Sequence, residues 1–448
     1  MLQTRTVDQW LDQLNACRAG LNGVNTFSVS GRLRRSVGMT LEAEGIHVPI
    51  GVRCRILNPG LDIEAEVVGF DNDRTFLIPL ADSQGIRPGA RVVPVLTEAR
   101  TAVGERLLGR VIDGLGRPLD GRGELRAEEW VTPSESADNP LERAPVNRPL
   151  DVGVQSINTF TTIGQGQRIG LFAGSGVGKS VLLGMVTRFT SADVVVVGLI
   201  GERGREVQEF IHNILGPQAQ ARSVIVASPA DTSPVHRIHA AERATTIARH
   251  FRDQGKNVLL LMDSLTRYAQ AHREIALAVG EPPATKGYTA SVFARLSELV
   301  ERAGNGPGEG SLTAVYTVLV DGDDHNDPVA DSARSFLDGH IVLSRALAEA
   351  GIYPALDVER SISRVMPAVT SGEHRRLTAR FLRLYATYEQ NKDLITVGAY
   401  SAGSDPLVDE AIARRPEMLE FLRQEMEANV SFDDGLAALS ALFPEAEE

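Results

Sequence analysis

One short stretch restricts the folds open to this chain more than any other. Ala173-Gly174-Ser175-Gly176-Val177-Gly178-Lys179-Ser180 follows the apolar run Arg168-Ile169-Gly170-Leu171-Phe172 and precedes a helical pattern that runs to Phe189. Glycines in such a loop let backbone N–H groups wrap a phosphate without Cβ interference, and the start of a helix adds partial positive charge. Lys179 then reaches the β- and γ-phosphates, and the Ser180 hydroxyl is placed to ligate Mg²⁺. The first position of the pattern is Ala173 instead of glycine, a mild departure at a residue that opens the turn without touching phosphate. Alone, a glycine-rich turn is only moderately specific. Flanked by strand and helix, it commits this part of the chain to a βα unit that binds nucleotide. Gly174, Ser175, Gly176, Val177, Gly178, Lys179, Ser180 and Val181 are the expected contacts.

Two acids complete the pattern. Asn257-Val258-Leu259-Leu260-Leu261-Met262-Asp263 is an apolar strand that ends in a carboxylate, and the C-terminal tip of a parallel strand faces the phosphate site. Asp263 is the candidate to orient Mg²⁺. Gly201-Glu202-Arg203-Gly204-Arg205-Glu206 follows the apolar run Val194–Ile200. Glu202 is the candidate to orient or activate an attacking water; without further context the same run also reads as a solvated, charged start of a helix.

The rest of the chain is organised around this unit. From about 151 to 368, apolar strands alternate with helical stretches, including Glu206 to Leu215 and Ala240 to Gln254, which calls for a parallel sheet with helices on both faces. Residues 25 to 97 instead show short period-two runs punctuated by Gly31, Gly45, Gly51, Gly60, Gly69 and Gly89, the pattern of a small antiparallel β-barrel. Residues 98 to 150 are rich in Gly and Pro and read as extended and irregular. Val7, Trp10, Leu11 and Leu14 have helical spacing, so an amphipathic helix is expected within residues 1–24. It either packs on its own domain or docks on a partner or membrane surface. Leu377, Phe381, Leu384 and Tyr385 mark a helical tail. The expected class is therefore α/β, in four parts: an N-terminal helix (1–24), a β-barrel (25–97), a P-loop nucleotide-binding domain (98–368) and a C-terminal helical domain (369–448).

Composition excludes several alternatives. The 448 residues are 43% hydrophobic, so disorder is not the main theme. With 58 Asp and Glu against 46 Lys and Arg, the net charge of −12 disfavours binding nucleic acid through overall charge. Cys17 and Cys54 are too few for a disulfide framework or a cysteine zinc site. No apolar run approaches the roughly 18 residues of a membrane span, and no secretory signal is legible. A soluble cytoplasmic protein is expected.

The P-loop, the Gly201–Glu206 run, Met262-Asp263-Ser264-Leu265-Thr266-Arg267, and Tyr353-Pro354-Ala355-Leu356-Asp357 with Ser361-Ile362-Ser363-Arg364 together resemble the rotary ATPase family. That family holds the α and β subunits of F-type ATP synthase and the type III secretion ATPases. The resemblance spans nearly the whole chain, and the short tail is similar to the secretion branch. Leu171–Met185 and Asp327-Pro328-Val329-Ala330-Asp331-Ser332-Ala333-Arg334 resemble the flagellum-specific export ATPases of that branch. The resemblance implies Mg²⁺-ATP hydrolysis that energises flagellar protein export, with a virulence injectisome ATPase or a noncatalytic ring subunit as alternatives. It also implies roles for single residues. Glu202 matches the catalytic carboxylate and Arg203 its neighbour. Glu206 and Asp263 match carboxylates that hold Mg²⁺ through water, and Arg267 an arginine beside the site. Tyr353 matches the aromatic against adenine, and Arg364 an arginine finger that enters the neighbouring subunit's site. The implied partners are a homohexameric ring, a central stalk protein, the export gate, a negative regulator at the N-terminal helix and chaperone–substrate complexes at the C-terminal domain. The implied location is cytoplasmic, with peripheral association with the inner membrane at the flagellar base.

Three further features carry less. Asp321-Gly322-Asp323-Asp324-His325-Asn326-Asp327-Pro328 is rich in oxygen ligands but lacks EF-hand spacing and resembles a stalk-facing loop. The glycines at 304, 306, 308 and 310 have no lysine at phosphate-loop spacing. His236, His239 and His250 have no acids at ligand spacing and read as structural.

Overall fold

The computed structural model describes residues 10, 14, 29–58, 60–95, 100–133, 138–320 and 327–444. Of the expected N-terminal helix, Trp10 and Leu14 are described; both are helical and exposed. The rest of that segment and the acidic run 321–326 lie outside the described residues. Contacts divide the chain into two compact units, residues 1–97 and 98–448.

In the first unit β1 (Gly31–Val37), β2 (Thr40–Glu44), β3 (Arg53–Asn58), β4 (Leu61–Asp71), β5 (Arg74–Pro79) and β6 (Arg91–Val95) close an antiparallel barrel in the order β1-β2-β5-β4-β3-β6. The period-two pattern sends Leu33, Leu41, Ile56, Val67 and Leu77 into its core. Closure depends on Gly31, where a Cβ would lie 2.3 Å from the carbonyl oxygen of Glu44. Cys54 is part of this core, and burial pushes its thiol up to about 11, so it stays protonated and inert.

In the second unit β7 (Thr101–Val103) pairs with β9 (Glu129–Val131). The main sheet contains β8 (Val111–Asp113), β10 (Arg168–Ala173), β11 (Val194–Ile200), β12 (Ser223–Ser228), β13 (Asn257–Asp263), β14 (Ser311–Leu319), β15 (Gly339–Val342) and β16 (Ile362–Ser363). Their order is β16-β15-β10-β14-β13-β11-β12-β8, parallel except at the β15–β16 edge. Residues 98 to 150 are thus less irregular than their composition suggests, since β8 forms an edge of the main sheet. Three residues between turn glycines are too few to show a period.

Alternate residues of these strands feed two cores. Ile169, Leu171, Val195, Val197, Leu259 and Leu261 face one side, where the helices Lys179–Phe189, Gly372–Thr396, Pro406–Leu422 and Phe432–Leu442 pack. Phe172, Val194, Val196, Val258, Leu260 and Met262 face the other, under the helices Pro234–Asp253, Leu265–Ala278 and Ala290–Glu301. Burial on both faces is why the strands read as unbroken apolar runs. The C-terminal helices share the first core directly: the rings of Phe160 and Phe381 lie 4.6 Å apart.

Two helices begin earlier than their apolar pattern implies. The helix expected from Ala240 starts at Pro234, where Ser233 caps the amide of His236 and proline fits the first turn. The helix expected from Glu206 begins at Gly204 and passes into a π-helical turn at Phe210–Ile214. Among the described residues no helix is long and apolar enough to cross a membrane.

Candidate active site

The site forms at the C-terminal ends of β10, β11 and β13, where loops leave a parallel sheet and peptide dipoles converge. After β10 the chain turns through Gly176 (φ +80°) and Gly178 (φ +91°), conformations that favour glycine, and enters the helix at Lys179. Lys179 Nζ lies 2.5 Å from Asp263 Oδ1 and 3.2 Å from Glu202 Oε1. None of the three side chains is more than 12% exposed. Because β14 lies between β10 and β13, the lysine spans one intervening strand, and that strand contributes to the site. Thr317 on β14 donates to Asp263 Oδ1 at 2.6 Å. Sequence reasoning missed Thr317; its only signal was a hydroxyl within an apolar strand, and threonine is common there for packing reasons.

Burial sets the electrostatics. It works against the Lys179 ammonium, but the carboxylates of Asp263 and Glu202 outweigh it and hold the lysine above its ordinary value. Burial pushes Glu202 upward, and the neighbouring Glu206 carboxylate adds to the rise against the pull of Lys179. Asp263 is likewise pushed up by burial. A carboxylate raised in this way is a better proton acceptor than one in water.

The remaining expected residues fall into three places. Glu206 and Arg203 flank Glu202, with Arg203 Nη1 3.3 Å from Glu206 Oε1 and its guanidinium exposed. Arg267 opens the helix that follows β13, its amide capped by Ser264. Its stem lies against Gly201, where a Cβ would come within 2.8 Å of the Arg267 Cβ. Its Nη1 donates to Gln270 at 2.9 Å, while its buried Nε has no partner. Tyr353 and Val181 line an apolar cavity of about 270 Å³ beside the P-loop, with Val177, Leu343, Gln424 and Met426. Tyr353 packs over Gly178, 3.5 Å from where a Cβ would stand. Gln424 donates its backbone N–H to Tyr353 O at 2.9 Å, so the tail supplies part of the cavity wall. That contribution was also missed, because no local pattern ties residue 424 to residue 353.

Arg364 is not brought to the others. It follows β16, and its N–H donates to Asp338 O at 3.0 Å, while the N–H of Asp338 donates to Arg168 O at the start of β10. Lys179 follows the end of β10. Six residues at ~3.3 Å each separate the two ends by roughly 20 Å.

The expected ligands Ser180, Asp263 and Glu206 would offer oxygen donors alone, chemistry that fits a hard cation such as Mg²⁺. Lysine, carboxylates, glycine loop and apolar cavity together can hold a nucleotide, neutralise its phosphates and present a carboxylate to a water.

The family model for the ATP synthase alpha/beta family, nucleotide-binding domain, matches residues 153–363. That for the T3SS EscN ATPase C-terminal domain matches 370–441. The flagellum-specific ATP synthase of Pseudomonas aeruginosa is 60% identical over 419 residues, covering 92% of this chain and 93% of that one. The Salmonella typhimurium protein of the same name is 52% identical, covering 98% and 99%. Among solved structures, the assembled ATPase EscN of the enteropathogenic E. coli type III secretion system superposes with a TM-score of 0.87 at 43% identity, covering 92% of this chain and 99% of that one. A second structure, of EscN with its central stalk EscO, gives a TM-score of 0.84 at 42% identity, covering 92% and 99%. This chain therefore belongs to the ATP synthase α/β family, on the branch of the flagellum-specific ATP synthases and type III secretion ATPases.

Proposed function

We propose that the chain is an ATPase that hydrolyses Mg²⁺-ATP to energise flagellar type III protein export, detaching export substrates from chaperones and delivering them to the gate. The observation that carries the chemistry is the buried contact of Lys179 with Glu202 and Asp263 beside an apolar cavity suited to a base. Adenine stacks on Tyr353, and the amides of Gly174 to Lys179 cradle the phosphates. Lys179 moves its charge onto the β- and γ-phosphates. Ser180, Asp263 and Glu206 are the residues that would hold Mg²⁺. When bound, the cation neutralises charge developing on the transferred phosphoryl group. Glu202 orients the attacking water in line and accepts its proton. Arg203 steadies Glu206, and Arg267 steadies the Gly201–Glu202 turn. Arg364 acts in the site of a neighbouring copy, so the working unit is a ring, taken here as a homohexamer. The EscN structures, one of the assembled ATPase and one of EscN with its central stalk EscO, support a ring and a stalk partner.

By the same reading the chain divides at 24, 97 and 368. The N-terminal helix meets a negative regulator, and the C-terminal helices meet chaperone–substrate complexes. The protein works in the cytoplasm, peripherally at the inner membrane of the flagellar base. The 60% identity to a flagellum-specific relative favours this machine over an injectisome, whose EscN shares 43%. Glu202→Gln tests the chemistry: turnover should fall at least about 100-fold while ATP binding is kept. Normal turnover in that variant removes Glu202 from its role.

A further inference from the structure

The loop that carries Glu202 is held from one side by the residues just past β12. Gly201 donates its N–H to Ser228 O at 2.7 Å, and Ala230 donates to Glu202 O at 3.0 Å. Buried Ser228 and His236 and half-buried Thr232 fix the chain between these anchors. Ser228 Oγ lies 2.8 Å from Thr232 Oγ1 and 3.0 Å from His236 Nδ1. The Thr232 hydroxyl donates to Pro229 O at 2.7 Å. On the far side of the ring, His236 Nε2 is 3.4 Å from Asp113 Oδ2. Asp113 lies opposite Ala227 in the β8–β12 register and accepts the amides of Leu115 and Arg117. Burial opposes its charge, but His236 and these amides hold it below the usual carboxylate range. The contact is too close for any side chain at Gly114, where a Cβ would come 2.3 Å from His236 O.

Serine, histidine and aspartate in one line match the residue types of a nucleophilic triad. Ser228, however, is fully buried and shares its hydroxyl with Thr232, so no substrate reaches it. The strand end that this line fixes is the one whose backbone holds Gly201, through Ser228 O, and Glu202, through the Ala230 N–H. We infer that Ser228, Thr232 and His236 are positioning residues for Glu202, fixing where its carboxylate meets the attacking water. This rests on the proposed role of Glu202. A displacement of about 1 Å at a reacting group costs up to about 100-fold in rate, so side chains that fix this strand end without touching the carboxylate are still felt in kcat.

The test is a double-mutant cycle on the full-length protein, read as single-turnover hydrolysis of Mg²⁺-ATP and as nucleotide affinity. Ser228→Ala should slow hydrolysis about tenfold with KM changed less than about twofold, and should slow the residual hydrolysis of Glu202→Gln less than about twofold. Equal slowing in both backgrounds, a change confined to KM, or no slowing at all overturns the inference. Should Ser228→Ala fail to fold, Thr232→Val carries the same cycle with a smaller expected loss, about threefold, under the same criteria. Full turnover by Glu202→Gln alone is a separate result: it overturns the role of Glu202 before the cycle begins.

Discussion

Lys179 is paired with both Glu202 and Asp263, and its loss has a pH signature. In Lys179→Ala two buried carboxylates remain without their ammonium; breaking such a buried pair costs about 3–5 kcal/mol when the residual charge is retained. Burial already raises both acids above their ordinary values of 4.5 and 3.8, and removing the lysine removes the opposing pull. A group whose folded pKa is raised stabilises fully below its unfolded pKa and loses that contribution as pH rises through the folded one. The melting temperature of Lys179→Ala should therefore lie near that of the unaltered protein at about pH 4 and fall progressively below it toward pH 8. A deficit independent of pH would mean that the lysine matters for packing alone. Lys179 and Asp263 were legible in the sequence, because strand–loop–helix context and a strand-tip acid are local signals; Glu202 sat in a run that also read as a solvated helix start, and the family resemblance singled it out. Thr317 and Gln424 were not, since their partners lie 54 and 71 residues away in the chain.

Helix packing is sharpest where Lys179–Phe189 crosses the π-helical turn at Phe210–Ile214. A Cβ at Gly184 would stand 1.9 Å from Ile214 Cγ2, so this glycine is there for close approach. Gly184→Ala gains about 1 kcal/mol of helix propensity, but overpacking costs about 1–3 kcal/mol. A net loss of about 1 kcal/mol is expected in denaturant unfolding, recovered in part when Ile214→Ala is added. A stabilised single variant would show that the turn yields freely. Long elements such as β11 and β13 were readable because burial on both faces makes them continuous apolar runs. The strand β8 was not, and neither was the line from Asp113 through His236 to Ser228. It joins residues 115 positions apart, and His236 on its own looked structural.

At the scale of the molecule, Arg364 and Lys179 belong to opposite ends of β10, so under the role proposed for Arg364 each copy would offer two different half-sites. A contact that united them would be head-to-tail, and such a contact makes a ring when its rotation closes. The consequence belongs to genetics. A chain with Arg364→Ala keeps its own Glu202 and spoils its neighbour's site; a chain with Glu202→Gln does the reverse. Each variant alone should be inactive. Mixed in equal amounts and allowed to assemble, a site works wherever an Arg364→Ala chain supplies Glu202 to a Glu202→Gln chain that supplies Arg364. Random order makes that about one site in four, so two inactive proteins should complement to about a quarter of normal turnover. No recovery on mixing would mean that both residues serve the same copy. A bacterium carrying both damaged alleles would, by this arithmetic, export more than one carrying either alone.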